Sequence, residues 1–557
     1  MRNLIFICIV LTLVIPSQAR TITVDDDGPA DFNNIQAAID DPNVVDGDEI
    51  IVAEGTYVER INFNGKNIVL RSTQPDDPDV VAATIIDGNY VIGPLVSFRS
   101  GEDPNCVLNG LTIAHGRTIH GAGVYCASNP TIINCVIKEN RSRQNGAGMY
   151  NEADPMLVNC LFLNNRTESW SCGGMWNKGG SPTLIDCMFI GNSVPDNAGG
   201  IGNVGSGSPT LINCTISGNS AGNDGGGMYN YGSSATLVNC LFTGNSASGE
   251  SSFETGGGAI HNYESSLTLS NCTFSNNWAL DEGGGMFSRN SDTITLANCI
   301  LSNNTDSGGT DASAQLYNQN STAIVRYSCI QGGWGGEGNT DADPCFADPG
   351  YWADANDPNI IVEPNDPNAI WIEGDYHLLS NSLCIDAGDP NYVPEPNETD
   401  LDGNPRVLDG NEDGTAVVDM GAYEFEFLPA IEATVKIRPR TLNLRSKGKW
   451  IMCVIRLAED YNVADIDPNS ILLEDEIEGE RVWLGDEFAV VKFSRREVQE
   501  VLTEVETPTE VELVVSGELS DGTIFEGTDT IRVIDKGKRR NNLPGRAGRR
   551  VMPLKRN

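Results

Sequence analysis

Positive charge is scarce in this chain. Against 77 Asp and Glu stand only 36 Lys and Arg, a formal net charge of −41 over 557 residues. That excess repels phosphate backbones and anionic lipid, which excludes nucleic acid and membrane surfaces as partners of the main body. It also makes casual calcium binding easy, so an acidic run alone does not mark a metal site. Aromatics amount to 7% and histidines to four, which leaves few candidates for imidazole chemistry. Long apolar runs are missing too. Beyond the N-terminus nothing approaches the roughly 20 apolar residues that a spanning helix needs.

The N-terminus itself reads as a signal peptide over residues 1–19. Arg2 supplies the positive charge, Leu4 to Ile15 an apolar stretch too short to span a bilayer, and Ser17-Gln18-Ala19 a small-x-small cleavage site. Cys8 lies inside the apolar stretch, which argues against a lipoprotein. The expected location is therefore secreted or cell-surface, with no transmembrane segment after cleavage.

Glycine is abundant, at 60 residues, and suits many short strands joined by tight turns. A repeat confirms that direction. Seven cysteines, each preceded by Asn or Asp, stand at positions 135, 160, 187, 214, 240, 272 and 299, with steps of 25, 27, 27, 26, 32 and 27. Five residues after each comes another asparagine: Asn140, Asn165, Asn192, Asn219, Asn245, Asn277 and Asn304. Three residues before each cysteine stands Ile or Leu, from Ile132 to Leu296, and two after it Ile, Phe or Leu, from Ile137 to Leu301. Strict alternation would put the leucine and the cysteine on opposite faces of a strand. A bend at the intervening Asn, which tolerates left-handed backbone, turns all three columns inward. Upstream of them lies a third strand with a glycine-rich start, such as GAGVY from Gly121 and GGGMY from Gly225. Three strands and three turns per coil predict an all-β fold, a right-handed parallel β-helix in which each coil buries its side chains against the next.

The remaining divisions follow from changes of pattern. Residues 20–118 form an N-terminal cap and first coils, with a short helix expected in DFNNIQAAID (residues 31–40). Residues 119–330 carry the repeat. Residues 331–425 lose it and become rich in Asp, Asn and Pro. Alternating runs over residues 431–535 predict a small β-sandwich, and residues 536–557 a disordered basic tail.

Two resemblances cover residues 20–330. The stretch containing Ile35, Gln36, Ala38, Ile39, Asp40, Gly47, Asp48, Gly55, Thr56, Tyr57 and Glu59 resembles the N-terminal cap of pectin-lyase-fold proteins. The coils, as in GGGAIHN from Gly256 and FSNN from Phe274, resemble the repeats of polymorphic outer-membrane proteins. Further on, GDYHLLSNSLCIDAGD (residues 374–389), TDLDGNPR (residues 399–406) and VVDMGAYEF (residues 417–425) resemble a choice-of-anchor module, which implies attachment to a cell surface. The fold hosts lyases, hydrolases, esterases and non-enzymes, so it leaves function open.

Catalysis in this fold demands carboxylates at one phase of adjacent coils, and no such series stands in the repeat. Asp186 is the single acid in the asparagine column, and His115, Arg117, His120 and His261 form a sparse set. Glu250, Glu254, Asp281 and Glu282 gather around the longest loop. A binding surface is better supported. One phase of the glycine-rich strand holds Tyr125, Tyr150, Trp176, Tyr229, Phe287 and Tyr317, with Gly202 and Ile260 interrupting. Alternation against an inward column of Val124, Met149, Met175, Ile201, Met228, Ala259, Met286 and Leu316 points those rings outward, where they would either pack on sugar faces or stack beneath the turns. Asp400, Asp402 and Asn404 resemble the start of a calcium loop without its later ligands, so calcium is possible and no other cofactor is indicated. The repeat cysteines are expected to be reduced and buried, while Cys345 and Cys384 are the disulfide candidates. The expected function is polysaccharide binding or adhesion outside the cell, with a polysaccharide lyase or related enzyme as the alternative and a structural envelope protein as the third. The expected partner is an extracellular or envelope polysaccharide.

Overall fold

Each Asn-Cys or Asp-Cys pair makes a corner. Asn134, Asn159, Asp186, Asn213, Asn239, Asn271 and Asn298 all take left-handed backbone, with φ between 48° and 54°. The corner lets Ile132, Cys135 and Ile137, and their equivalents in later coils, face one interior, where every one is buried. The computed structural model describes residues 19–249, 256–366, 368–396, 398–411, 413–427, 430–458, 461–474, 476–520 and 523–535. Residues 1–18 of the expected signal peptide, Glu250, Glu254 and the basic residues 536–557 therefore lie outside the described residues. Two compact units are present, divided between Phe427 and Leu428.

The first unit is a right-handed parallel β-helix of about 11 turns. Its strands stack into four parallel sheets of 12, 11, 7 and 10 strands. The sequence pattern reveals three of them. The fourth is built from short strands such as Ser193–Val194 and Ser220–Ala221, which follow the buried asparagine. Five of its seven strands have only two residues, too short to show alternation, so the three-strand coil becomes a four-strand coil.

Stacking in register turns each sequence column into a ladder. Phe162 lies on Phe189 at 4.4 Å and 6°, and Phe242 on Phe274 at 4.8 Å and 10°. The buried asparagines form a second ladder. Asn192 Nδ2 donates to the Phe162 carbonyl at 2.8 Å and to Asn219 Oδ1 at 3.0 Å, and its own Oδ1 accepts from Asn165 N and Nδ2 at 3.0 Å. Each such side chain thus satisfies a turn amide that would otherwise be buried unpaired. Burial of the Leu, Cys and Phe columns supplies roughly 1.5–3 kcal/mol per large side chain.

At the open N-terminal end, the helix Ile35–Asp40 buries Ile35, Ala38 and Ile39. Glu59 accepts the Ile35 and Gln36 N–H groups at 2.8 Å, and Asp48 accepts Arg20 N at 2.9 Å and Val45 N at 3.0 Å. Asp48 and Glu59 of the cap motif are therefore backbone clamps, while Asp40 accepts from the side chains of Gln36 and Asn64.

Residues 341–425 do not extend the stack. They fold back along the outer face of the 11-stranded sheet, where Leu241, Ile300, Phe346, Tyr376, Leu378, Cys384 and Met420 share a core. Gly421 N donates to the Asn298 carbonyl at 2.8 Å and Ala422 N to Thr273 Oγ1 at 3.0 Å. Outward residues of that sheet are accordingly buried at Leu241–Thr243, Thr273–Ser275 and Ile300–Ser302, yet partly open at Leu161–Leu163 and Met188–Ile190. Within the returning segment Arg406 is fully buried, with Nη2 at 3.2 Å from Glu424 and 3.0 Å from the Gly421 carbonyl. Asp419 accepts N–H groups from Asp386 and Phe425, each at 2.6 Å, but burial outweighs those donors and pushes its carboxyl up to about 7.

The second unit packs two antiparallel sheets. Thr434–Arg438, Trp450–Arg456, Ala489–Ser494 and Arg481–Leu484 form one, and Thr509–Glu518 with Ile524–Ile534 dominate the other. Ile437, Ile451, Cys453, Val491, Phe493, Val515 and Phe525 fill the space between them. No helix among the described residues is long and apolar enough to cross a membrane.

Two outcomes are expected. Asn192→Ala strips at least two buried groups of their partners, at roughly 1–3 kcal/mol each; urea unfolding followed by circular dichroism shows a loss of about 3 kcal/mol. Asp419 holds a proton in the fold that the unfolded chain, with its carboxyl near 3.8, gives up. Its contribution is full below pH ~4 and is lost as pH rises to ~7. Thermal scans across that window show a pH-dependent fall in midpoint that Asp419→Asn reduces, the remainder coming from Glu424, whose carboxyl burial pushes up to about 9.

Candidate functional site

The outward ring column on the 10-stranded sheet exists, but turns cover most of it. Register pairs Tyr125 with Tyr150, Tyr150 with Trp176, Trp176 with Gly202, and Gly202 with Tyr229. Tyr229 then pairs with His261, His261 with Phe287, and Phe287 with Tyr317. The sequence reading is corrected at one coil: His261 occupies the ring column, and Ile260 faces inward opposite Met228 in place of Ala259. A 32-residue coil with a long loop shifts the glycine-rich start by one residue there.

Exposure along the column is small. Tyr150 is 5% exposed, Trp176 8% and Phe287 0%, while Tyr125, Tyr229 and Tyr317 are half-buried. The cause is the glycine that starts each strand. Gly121 and Gly146 have φ of 62° and 58°, and a Cβ on them would come within 3.0 Å of Tyr150 and 3.1 Å of Trp176 in the following coil. Each turn therefore lies over the next ring. Tyr125 is further engaged by Arg99, 3.7 Å above its ring, and by Glu152, which also accepts from Tyr150 and Lys178.

The histidines do not form a cluster. His115 is held between Asp87 at 2.9 Å and Glu139 at 3.1 Å, with the Asp87 hydrogen bond the main cause of its raised pKa. Arg117 reaches Glu168 at 3.4 Å. His120 packs at a tilt against Tyr150, and burial lowers its pKa. His261 pairs with Asp224 at 3.1 Å beneath the turn at Gly256. Asp186 is a corner residue with φ 53°.

The weak calcium candidates have partners within the chain. Asp400 accepts the N–H groups of Asp402 at 2.9 Å, Asn404 at 2.8 Å and Glu424 at 3.0 Å, and Asp402 is hydrogen-bonded to His377. The disulfide candidates are also re-partnered. All described cysteines are free thiols; Cys384 sits in the core beside Cys329, whereas Cys345 is partly exposed outside it.

A different site emerges where the returning segment meets the uncovered coils. A cleft of about 1070 Å³ has Leu163, Met188 and Ile190 on its floor and Trp278, Trp352 and Trp371 along its sides. Three of the chain's eight tryptophans thus converge here. Trp352 and Trp371 face each other across the strand pair Tyr351–Asp354 and Ala369–Ile372, with centroids 5.4 Å apart. Trp371 lies on the backbone of the coils: a Cβ on Gly244 would stand 2.1 Å from its ring, and one on Gly218 3.8 Å. Its Nε1 donates to Glu373 at 3.3 Å, and Glu373 also accepts from Ser217 and, at 2.8 Å, from Thr243. Both carboxylate oxygens are therefore spent on fixing the wall. Asn164, Ser220, Ser246, Ser248, Asn365 and Asp366 offer polar groups around the apolar floor.

A sequence reading could have found Trp278 only as an odd residue in the short fourth strand, and Trp352 and Trp371 only as tryptophans outside the period. The glycines were a faint signal. The corner before each buried asparagine is left-handed throughout, and Asn or Glu suffices there at Glu139, Asn164, Asn276 and Asn303; Gly244 is needed for the indole.

Comparison with known proteins agrees on the coils. A family model described as a right-handed beta helix region matches residues 94–262 and 200–338. Among solved structures, rice weevil pectin methylesterase is 14% identical, with 55% of this chain and 89% of that chain covered, at a TM-score of 0.21. Pectin methylesterase from carrot is 12% identical, with 58% and 83% covered, at a TM-score of 0.22. No curated protein matches the chain. The repeat region is similar to right-handed β-helices, and to that extent the comparisons and the coil geometry coincide.

Proposed function

We propose that this chain is an exported, surface-associated β-helix protein that binds polysaccharide in the tryptophan cleft without cleaving it. The observation that carries the reading is the convergence of Trp278, Trp352 and Trp371 over an open apolar floor rimmed with hydroxyl and amide groups. Indole faces pack on the C–H faces of sugars, and their rigidity keeps the entropy cost of binding low. The rim supplies donors and acceptors for hydroxyls, as a glycan site requires.

Absence of cleavage rests on the carboxylates. Hydrolysis of a glycosidic bond needs one acid and one nucleophile or base free to reach it. Glu373 is committed to Ser217, Thr243 and Trp371. The lyase alternative needs a basic side chain at the scissile sugar, and none stands among the cleft residues. Export is supported by the signal-peptide pattern and surface attachment by the resemblance of residues 374–425 to an anchor module.

Affinity electrophoresis in gels containing soluble polysaccharide tests the site. Trp371→Ala and Trp352→Ala each weaken retention by about tenfold or more, the cost of losing a central aromatic anchor. Tyr125→Ala, at the accessible end of the ring column, leaves retention unchanged; the reverse pattern would move the site to that column. Gly244→Asn keeps the left-handed corner, as Asn276 does one coil on, but displaces the indole. Retention then falls while the circular dichroism of the β-helix is preserved, and an unaltered tryptophan emission spectrum would refute the packing argument.

A further inference from the structure

The cleft is also defined by what its walls do not contain. Among its lining residues there is no lysine, arginine or histidine, whereas Glu373 and Asp366 contribute carboxylates. His377 packs at a tilt against Tyr423, a lining residue, with centroids 4.3 Å apart. Both its ring nitrogens are taken by Asp375 and Asp402, so that corner carries no net positive charge. Beyond the cleft, the chain as a whole is at −41.

The cleft is also long in one direction. Its lining draws on five successive coils, at Leu163, at Met188 to Gly191, at Thr215 to Ser220, at Leu241 to Ser248, and at Trp278 to Leu280. At the spacing of neighbouring strands, five coils cover about 19 Å. A linear chain laid along the helix axis would touch several coils in turn, with Met188 and Leu280, 42% and 40% exposed, beneath it.

We infer that the cleft takes an uncharged polysaccharide, laid along the helix axis, and turns away polyuronates. The inference rests on the reading of the cleft as a glycan site. A uronate chain would bring one carboxylate per sugar into a trough that holds two carboxylates and no cation. Like charges about 4 Å apart repel by ~1 kcal/mol in bulk water and several times more where solvent is thinned. Neutral sugars meet no such opposition, and the indoles and rim amides address their C–H faces and hydroxyls.

The test measures dissociation constants of the full mature protein by calorimetry. Xylan, galactomannan and mixed-linkage glucan oligosaccharides serve as neutral probes, and polygalacturonate and alginate oligosaccharides as acidic ones. At least one neutral class binds, polyuronates bind at least about tenfold more weakly, and added salt narrows the gap. Asp366→Asn strengthens polyuronate binding several-fold relative to neutral binding. If polyuronates bind as tightly as neutral chains, and Trp371→Ala abolishes both, the charge inference is overturned while the glycan reading stands. If no glycan binds, or if Trp371→Ala leaves binding intact, the glycan reading itself fails. Concentration-dependent self-association removed by Trp371→Ala would overturn both in favour of a second copy of the chain in the cleft.

Discussion

The buried asparagine ladder is the constraint on which the β-helix depends. A polypeptide that closes a coil must turn, and the turn following each Phe or Ile strand lies inside the molecule where water cannot satisfy its amides. Asn140, Asn165, Asn192, Asn219, Asn245 and Asn277 meet that need by donating to a carbonyl of the coil before and to the asparagine of the coil after, while each side-chain oxygen accepts from the coil before. One side chain thereby sets both the corner and the stacking register. The ladder ends on Gln315, whose Oε1 accepts from Asn304 at 2.8 Å. Leucine, cysteine and phenylalanine columns add most of the burial, but they can only align because the corners are already fixed.

What the sequence made legible was what repeats at the spacing of whole coils. The cysteine marks the phase of every coil, so the inward Leu, Cys and Phe positions and both asparagine corners could be read directly. The cap helix and its buried Ile35, Ala38 and Ile39 were legible for a similar reason, a short periodic segment beside a strand pattern. The fourth sheet was not, because two-residue strands carry no alternation. Ile260 and His261 were misplaced because a long insertion breaks the count at the one coil where they stand.

The site was less legible than the fold. Outward direction for the rings of the 10-stranded sheet follows from alternation, but their burial depends on how a glycine of one coil lies over a ring of the next, a contact 26 or more residues away in sequence. The cleft depends on a segment after the repeat folding back along its side. Nothing periodic announces that return, and Trp352 and Trp371 gain their meaning only from the coils they rest on. The partnering of Cys384 with Cys329 rather than Cys345 has the same origin, since the returning segment places Cys384 against the last coils.

The returning segment has a mechanical consequence. Coils from Thr131 to Ile190 are joined to their neighbours by strand pairing, the asparagine ladder and stacked side chains, whereas those from about Leu241 onward are also strapped from outside through Thr273, Asn298 and the shared core around Leu241 and Ile300. A load applied along the axis would therefore part the early coils one at a time and stall where the strap begins. The cleft sits at that boundary, between the compliant part of the rod and the stiff one, so a taut polymer held there would pull on the reinforced half.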